Sequence, residues 1–152
     1  MRNPWLGCLL GCLLLPAAGC GPKTVGLDEF EKKEITLPGG QIVRAEVMIK
    51  AFDMQRGMMF RDALPRGQGM LFVHEKSGPY AYWMYQVKIP LDIIWMDANR
   101  RIVEISANTP PCQTKASLCP TYGGHQNALF VLELGGGEAQ RYGLRVGDTL
   151  AF

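Results

Sequence analysis

The chain carries only two histidines, His74 and His125, and little excess of charge, with 16 Lys and Arg against 14 Asp and Glu in 152 residues. A net charge of +2 excludes a strongly basic nucleic-acid binder and an acidic disordered tail. No apolar run approaches the roughly 20 residues of a spanning helix. There is no Gly-x-Ser-x-Gly elbow, phosphate loop or His-Glu-x-x-His pair, so the common signatures of hydrolases, nucleotide enzymes and zinc proteases are missing. Internal repeats and low-complexity segments are missing too, which excludes solenoids and propellers. What remains is ordinary globular composition, 47% hydrophobic and 20% charged. A chain of this length fits one domain and buries enough surface to fold without a metal.

The N-terminus has a different character. Arg2 is followed by an apolar run from Trp5 to Leu15 and then by Pro16-Ala17-Ala18-Gly19-Cys20. One positive charge, a short apolar stretch and small residues, in that order, read as a secretory signal over residues 1–19. Ala17-Ala18-Gly19-Cys20 resembles the bacterial lipobox, in which the cysteine thiol takes a diacylglyceryl group and becomes the mature N-terminus; Ala17 stands where a Leu or Val is usual. The alternative is an ordinary signal in which Cys20 is incidental. Gly21 is not the Asp that retains lipoproteins in an inner membrane, so the resemblance implies the outer membrane, facing the periplasm. Residues 20–34 read as a tether and 35–152 as a single domain. Without Arg2 the basic and acidic residues number 15 and 14, so lipid, not charge, would hold the protein to the membrane.

Cys8 and Cys12 leave with the signal, and Cys112 and Cys119 remain. They flank a non-periodic loop between Pro111 and Pro120, and in an exported protein that pattern predicts a structural disulfide. Their spacing does not fit a C-x-x-C redox pair, and no second pair exists for zinc. Along the domain, Ile35–Leu37 and Gln41–Lys50 predict a hairpin about Pro38-Gly39-Gly40. Val43, Ala45, Val47 and Ile49 share one face, and Arg44, Glu46 and Lys50 the other. A short helix is expected over Met54–Asp62, with Asp53 as its cap. Strands are expected at Gly69–Val73, Tyr80–Tyr85, Ile89–Met96, Arg101–Ser106, Ala128–Leu134 and Asp148–Phe152, and a helical turn at Glu138–Tyr142. The fold class is therefore mainly β (α+β): a compact β-barrel or sandwich of seven or eight short strands with one or two short helices.

Four segments in order carry a resemblance: Arg56-Gly57-Met58-Met59-Phe60-Arg61; Gly69-Met70-Leu71-Phe72; Trp83-Met84 with Ile89-Pro90-Leu91-Asp92; and Val131-Leu132-Glu133-Leu134 with Gly143-Leu144-Arg145-Val146-Gly147-Asp148. Together they resemble the family called domain of unknown function 192, over roughly residues 40 to 152. The resemblance implies a frequently secreted or lipid-anchored domain and carries no reaction with it. Where the family has an Asn two places after Trp-Met, this chain has Gln86.

The inward carboxylates are expected to be Asp92 and Glu133, each flanked by strand apolars. A bare buried charge is too costly, so each must face solvent or be paired. For Asp92 the resemblance implies pairing, with Arg61 or Arg56 as the natural partner. Arg56, Arg61, Trp83, Met84, Gln86 and Asp92 form the candidate pocket. Met54, Met58 and Met59 are clustered as thioether ligands of Cu(I) would be, but methionine also fills irregular cores. Of the aromatic segment, Tyr80, Tyr82 and Met84 share one face and Ala81, Trp83 and Tyr85 the other; one face is expected to be core, and an exposed tyrosine pair would offer a binding surface. The expected function is a lipid-anchored envelope domain, more binding module than enzyme, with no catalytic residue, cofactor or metal assigned. Its expected partners are the membrane, through the lipid on Cys20, and a small ligand or envelope protein; nucleic acid is not among them. An enzyme acting on a polar or glycan substrate and a Cu(I)-binding protein are the alternatives.

Overall fold

In a computed structural model the described residues are 30–152, so Cys20, the signal and most of the tether lie outside them. The hairpin forms as expected, from β1 (Lys32–Thr36) and β2 (Ile42–Met48). Helix α1 (Ala51–Arg56) follows, then β3 (Gln68–Gly78), β4 (Ala81–Trp83), β5 (Leu91–Met96), β6 (Ile102–Thr109), β7 (Thr121–Gly123), β8 (Ala128–Gly135) and α2 (Glu138–Arg141). Six strands form one sheet in the order β1-β2-β3-β8-β5-β6, and β4 pairs with β7 in a second, two-stranded sheet. Among the described strands only β2 and β3 pair in parallel, as their long connection through α1 allows.

The architecture is sandwich-like. The large sheet does not close into a barrel, because β1 and β6 never pair. The C-terminal segment expected as a strand makes only single bridges, Thr36 to Ala151 and Arg101 to Thr149. Helix α1 starts three residues before the expected Met54. Asp53 lies in its first turn and does not cap it, and Gly57, at φ 43°, ends it. The two-residue-scale signals missed β7 and the 3-10 turn at Ala116–Leu118, both too short for a periodic pattern.

A core lies on each face of the large sheet. One face carries Val43, Ala45, Leu71, Ile94, Leu132 and Leu134, covered by Ala139, Leu144 and Leu150 from the C-terminal region. The other carries Met48, Met70, Phe72, Ile93, Trp95 and Val131, covered by Met58, Met84 and Val87. Every residue of β5 is buried, which explains its unbroken apolar run around Asp92. The small sheet seats on Trp95: its indole N–H donates to Tyr80 O at 2.8 Å, and Gly123 lies flat against the ring. Tyr82 packs edge-on against Phe72 and Trp95, so the alternation of β4 sends Trp83 outward.

Candidate functional site

The segment from α1 to residue 62 lies over the methionine-rich face of the sheet and leaves two adjoining clefts. One, of about 350 Å³, is lined by Phe30, Met48, Asp53, Arg56, Phe60 and Arg61, among others. The second, of about 400 Å³, is lined by Phe52, Gln55, Arg56, Met59, Phe60, Trp83 and Tyr85. Arg56, Met59 and Phe60 belong to both. Phe52 is 74% exposed, Phe60 55% and Trp83 37%, with Tyr85 tilted against Trp83 at 5.2 Å. Apolar side chains scattered singly need no account, whereas aromatic rings gathered at a concave surface do. Arg56 ends α1, and its side chain forms no hydrogen bond or ion pair among the described residues, so the guanidinium is available to an anionic group. A wider groove of about 490 Å³, lined by Lys32, Arg44 and Arg66, offers less, because Arg44 pairs with Glu34 and Arg66 with Glu138.

The wall of the aromatic cleft is held by backbone bonds at strained positions. Phe60 and Gln86 have φ of 66° and 57°, the left-handed region that non-glycine residues avoid. The Phe60 N–H donates to Gln86 O at 2.9 Å, and the Gln86 N–H to Cys112 O at 2.9 Å. Cys112 in turn donates to Met84 O at 3.0 Å. Cys112 and Cys119 form the expected disulfide, and Gln113 donates through its side chain to Val87 O. The cysteine loop is thus fastened to residues 84–87, which carry the cleft's wall. Asn tolerates the left-handed conformation better than most residues. Position 86 therefore asks for a backbone geometry, which Gln86 also adopts.

Five of the six expected pocket residues lie on this side of the sheet. Arg56, Arg61 and Trp83 line the clefts, Met84 is buried beneath, and Gln86 is placed as described. Asp92 is the exception. Leu134 stands opposite it on β8, and both point into the other core. Its partners are three backbone amides, not an arginine. Oδ1 accepts from Asn108 N–H at 2.6 Å and Gly137 N–H at 3.0 Å, and Oδ2 from Ala139 N–H at 2.6 Å. A carboxylate so held stabilises the start of α2 and needs no counter-charge.

Arg61 instead grips Glu46, with Nη1 to Oε1 at 3.0 Å and Nη2 to Oε2 at 2.5 Å. Glu46, Met70, Glu133 and Ile93 stand opposite one another across four strands, so their side chains share a face. Glu133 is 4% exposed, and no hydrogen-bond donor among the described residues reaches its Oε2. Burial pushes its carboxyl up to about 8, against the opposing pull of the Arg61 guanidinium. Burial, with the Glu133 charge and Tyr80, also pushes the Tyr82 phenol up. Glu46 was not among the expected site residues. Its signal was Met48, an apolar residue on the face assigned to charge.

The methionines divide. Met48, Met58, Met70, Met84 and Met96 are core residues, whereas Met59 lines the cleft. Among the described residues, no group of three His, Cys, Asp or Glu side chains is arranged to hold a metal. His74 stacks on Tyr80 at 3.5 Å, its Nε2 lies 3.1 Å from Tyr82 Oη, and burial pulls its imidazole down. His125 pairs with Glu104 at 2.6 Å, away from both clefts.

Solved structures with this fold include a protein of unknown function from Novosphingobium aromaticivorans, 27% identical, covering 93% of this chain and all of that one, with a TM-score of 0.73. Another, from Sinorhizobium meliloti, is described as a candidate transcription regulator; it is 25% identical over 80% of this chain and 94% of that one, with a TM-score of 0.72. No functionally curated protein matches. The profile of the family called domain of unknown function 192, described only as an uncharacterized ACR, matches residues 34–152, and the chain belongs to that family.

Proposed function

We propose that this protein is a lipid-anchored domain of the cell envelope, held through Cys20 in the outer membrane and facing the periplasm, that acts as a non-catalytic binding module. The observation that carries the binding role is the aromatic cleft: Phe52, Phe60, Trp83 and Tyr85 around a guanidinium with no partner among the described residues. A cleft of about 400 Å³ falls within the size range of small-ligand sites. Aromatic faces with one cation suit an amphiphile that carries a negative group. The anchoring half of the reading is supported by residues 1–20, and a disulfide within the domain suits an oxidising compartment.

Two experiments test it. Cys20→Ser should release the protein from membranes; a variant that still sediments after a salt wash would refute the anchor. A thermal-shift screen of small anionic amphiphiles and glycan fragments should find ligands that raise the melting midpoint of the wild type but not of Phe52→Ala/Trp83→Ala. Ligands that stabilise the variant equally would place binding elsewhere.

The enzyme reading draws on Glu133, whose carboxyl burial pushes up to about 8, toward the range that suits a general acid or base. Its burial and its absence from the lining of both clefts weigh against contact with a substrate. The copper reading weakens because Met58 faces the core and Met59 the cleft.

A further inference from the structure

We propose that the aromatic cleft docks on the phospholipid interface of the membrane that anchors the chain. Phe52, Phe60, Trp83 and Tyr85 sit at the level of the headgroups and glycerol backbones, with Arg56 on the lipid phosphates. This rests on the reading of Cys20 as a lipidated anchor and names the occupant of the cleft.

The first argument is where the chain arrives. Phe30, the first described residue, lines the adjoining cleft, which shares Arg56, Met59 and Phe60 with the aromatic one. Cys20 is ten residues earlier, a span of at most about 35 Å even fully extended. The side of the domain from which the tether leaves therefore stays within that distance of the bilayer. A short tether also gives an effective concentration on the order of millimolar, so a surface of very weak intrinsic affinity is held down.

The second argument is composition. Tryptophan and tyrosine concentrate at membrane interfaces because each has an apolar body and a polar tip. An arginine among them can lay its stem along apolar surface and lift its charge to the headgroups. Asp53 and Asp62 line the adjoining cleft on the other side of Arg56, so the surface around the rings has no strong net charge. Docking through it depends on the rings and does not need an anionic bilayer.

Trp83 reports on this directly. Trp95 is fully buried, and Trp5 belongs to the segment removed with the signal. The full lipidated protein is purified from membranes and reconstituted into phosphatidylcholine vesicles containing spin-labelled lipids, with the label near the headgroup or at the chain end. The shallow label should quench Trp83 more than the deep one, equally with phosphatidylglycerol added. The quenching should vanish in Trp83→Phe and drop severalfold in Phe52→Glu/Phe60→Glu, whose positions are exposed, while each variant stays in the vesicles. Mass spectrometry of the N-terminus reads the anchor separately. An unacylated Cys20 overturns the anchor and with it the docking. An acylated chain without quenching, or quenching that survives Trp83→Phe, overturns the docking alone and leaves the cleft to a soluble ligand or a protein.

Discussion

Asp92 and Glu133 are both carboxylates inside an apolar sheet, yet different physics keeps each there. Asp92 accepts hydrogen bonds from three backbone amides. Asp92→Asn replaces one acceptor oxygen with a donor and leaves a buried N–H unpaired, at a cost of about 2–4 kcal/mol. Its melting midpoint should fall by at least about 6 °C, at roughly 3 °C per kcal/mol for this size. A midpoint within about 2 °C of wild type would mean that these bonds contribute little. Glu133 has an oxygen that no donor among the described residues reaches, and burial favours its neutral form. Its carboxyl is raised from 4.5 to about 8, so between those values the native state keeps a proton that the unfolded chain releases. The stability tied to that proton is complete below the unfolded value and is lost as pH rises through the folded one. Thermal unfolding followed against pH should decline across this window with a slope of up to about 1.4 kcal/mol per pH unit. Glu133→Gln should flatten the decline and be the more stable protein above about pH 8. A wild type and variant with parallel pH profiles would show that Glu133 is charged in the fold.

Among the connecting segments, the cysteine loop has the most specific task. Its disulfide closes a short ring, worth about 2.5 kcal/mol on the chain-entropy account. Its backbone is bonded to the segment that bears Trp83, Tyr85 and Gln86, and through Gln86 to Phe60. Cys112→Ser/Cys119→Ser should therefore lose about that stability in urea and also exchange the Phe60 and Gln86 amides faster. Unchanged exchange at those amides would confine the disulfide to its own loop. The position of α1 follows a similar logic. Asp53 looked like a cap, but the Met54 N–H donates to Lys50 O at 2.9 Å and the Gly57 N–H to Asp53 O at 2.8 Å, which shifts the helix three residues toward the N-terminus. That shift puts Phe52 on the surface and Arg56 at the helix end, both facing the cleft.

Two cores share one sheet, and β5 and β8 supply both of them. Ile94, Met96 and Leu132 pack on one face; Ile93, Trp95 and Val131 on the other. Neither face can loosen while those strands stay in register, so the domain should unfold in one step. Near-ultraviolet circular dichroism, which follows buried Trp95, and far-ultraviolet dichroism, which follows the sheet, should give coincident transitions. Separate midpoints would show that the cores are independent. The strands were readable because alternation and turn residues act within a few positions of the chain: the β1–β2 hairpin, the doubly buried β5 run, and Trp83 and Tyr85 sharing a face all follow from local pattern. The cysteine pair was readable for the same reason, since its two residues share one short loop. The partners of the carboxylates were not. The amides on Asp92 come from residues 16, 45 and 47 positions away, and Glu133 meets Arg61 only because β3 runs between β2 and β8. Alternation separates the faces of a strand, but which face is roofed over depends on the packing of distant elements. Only the tertiary structure could decide that Asp92 caps a helix, that Arg61 takes Glu46, and that the aromatic cleft opens beside the residue where the tether arrives.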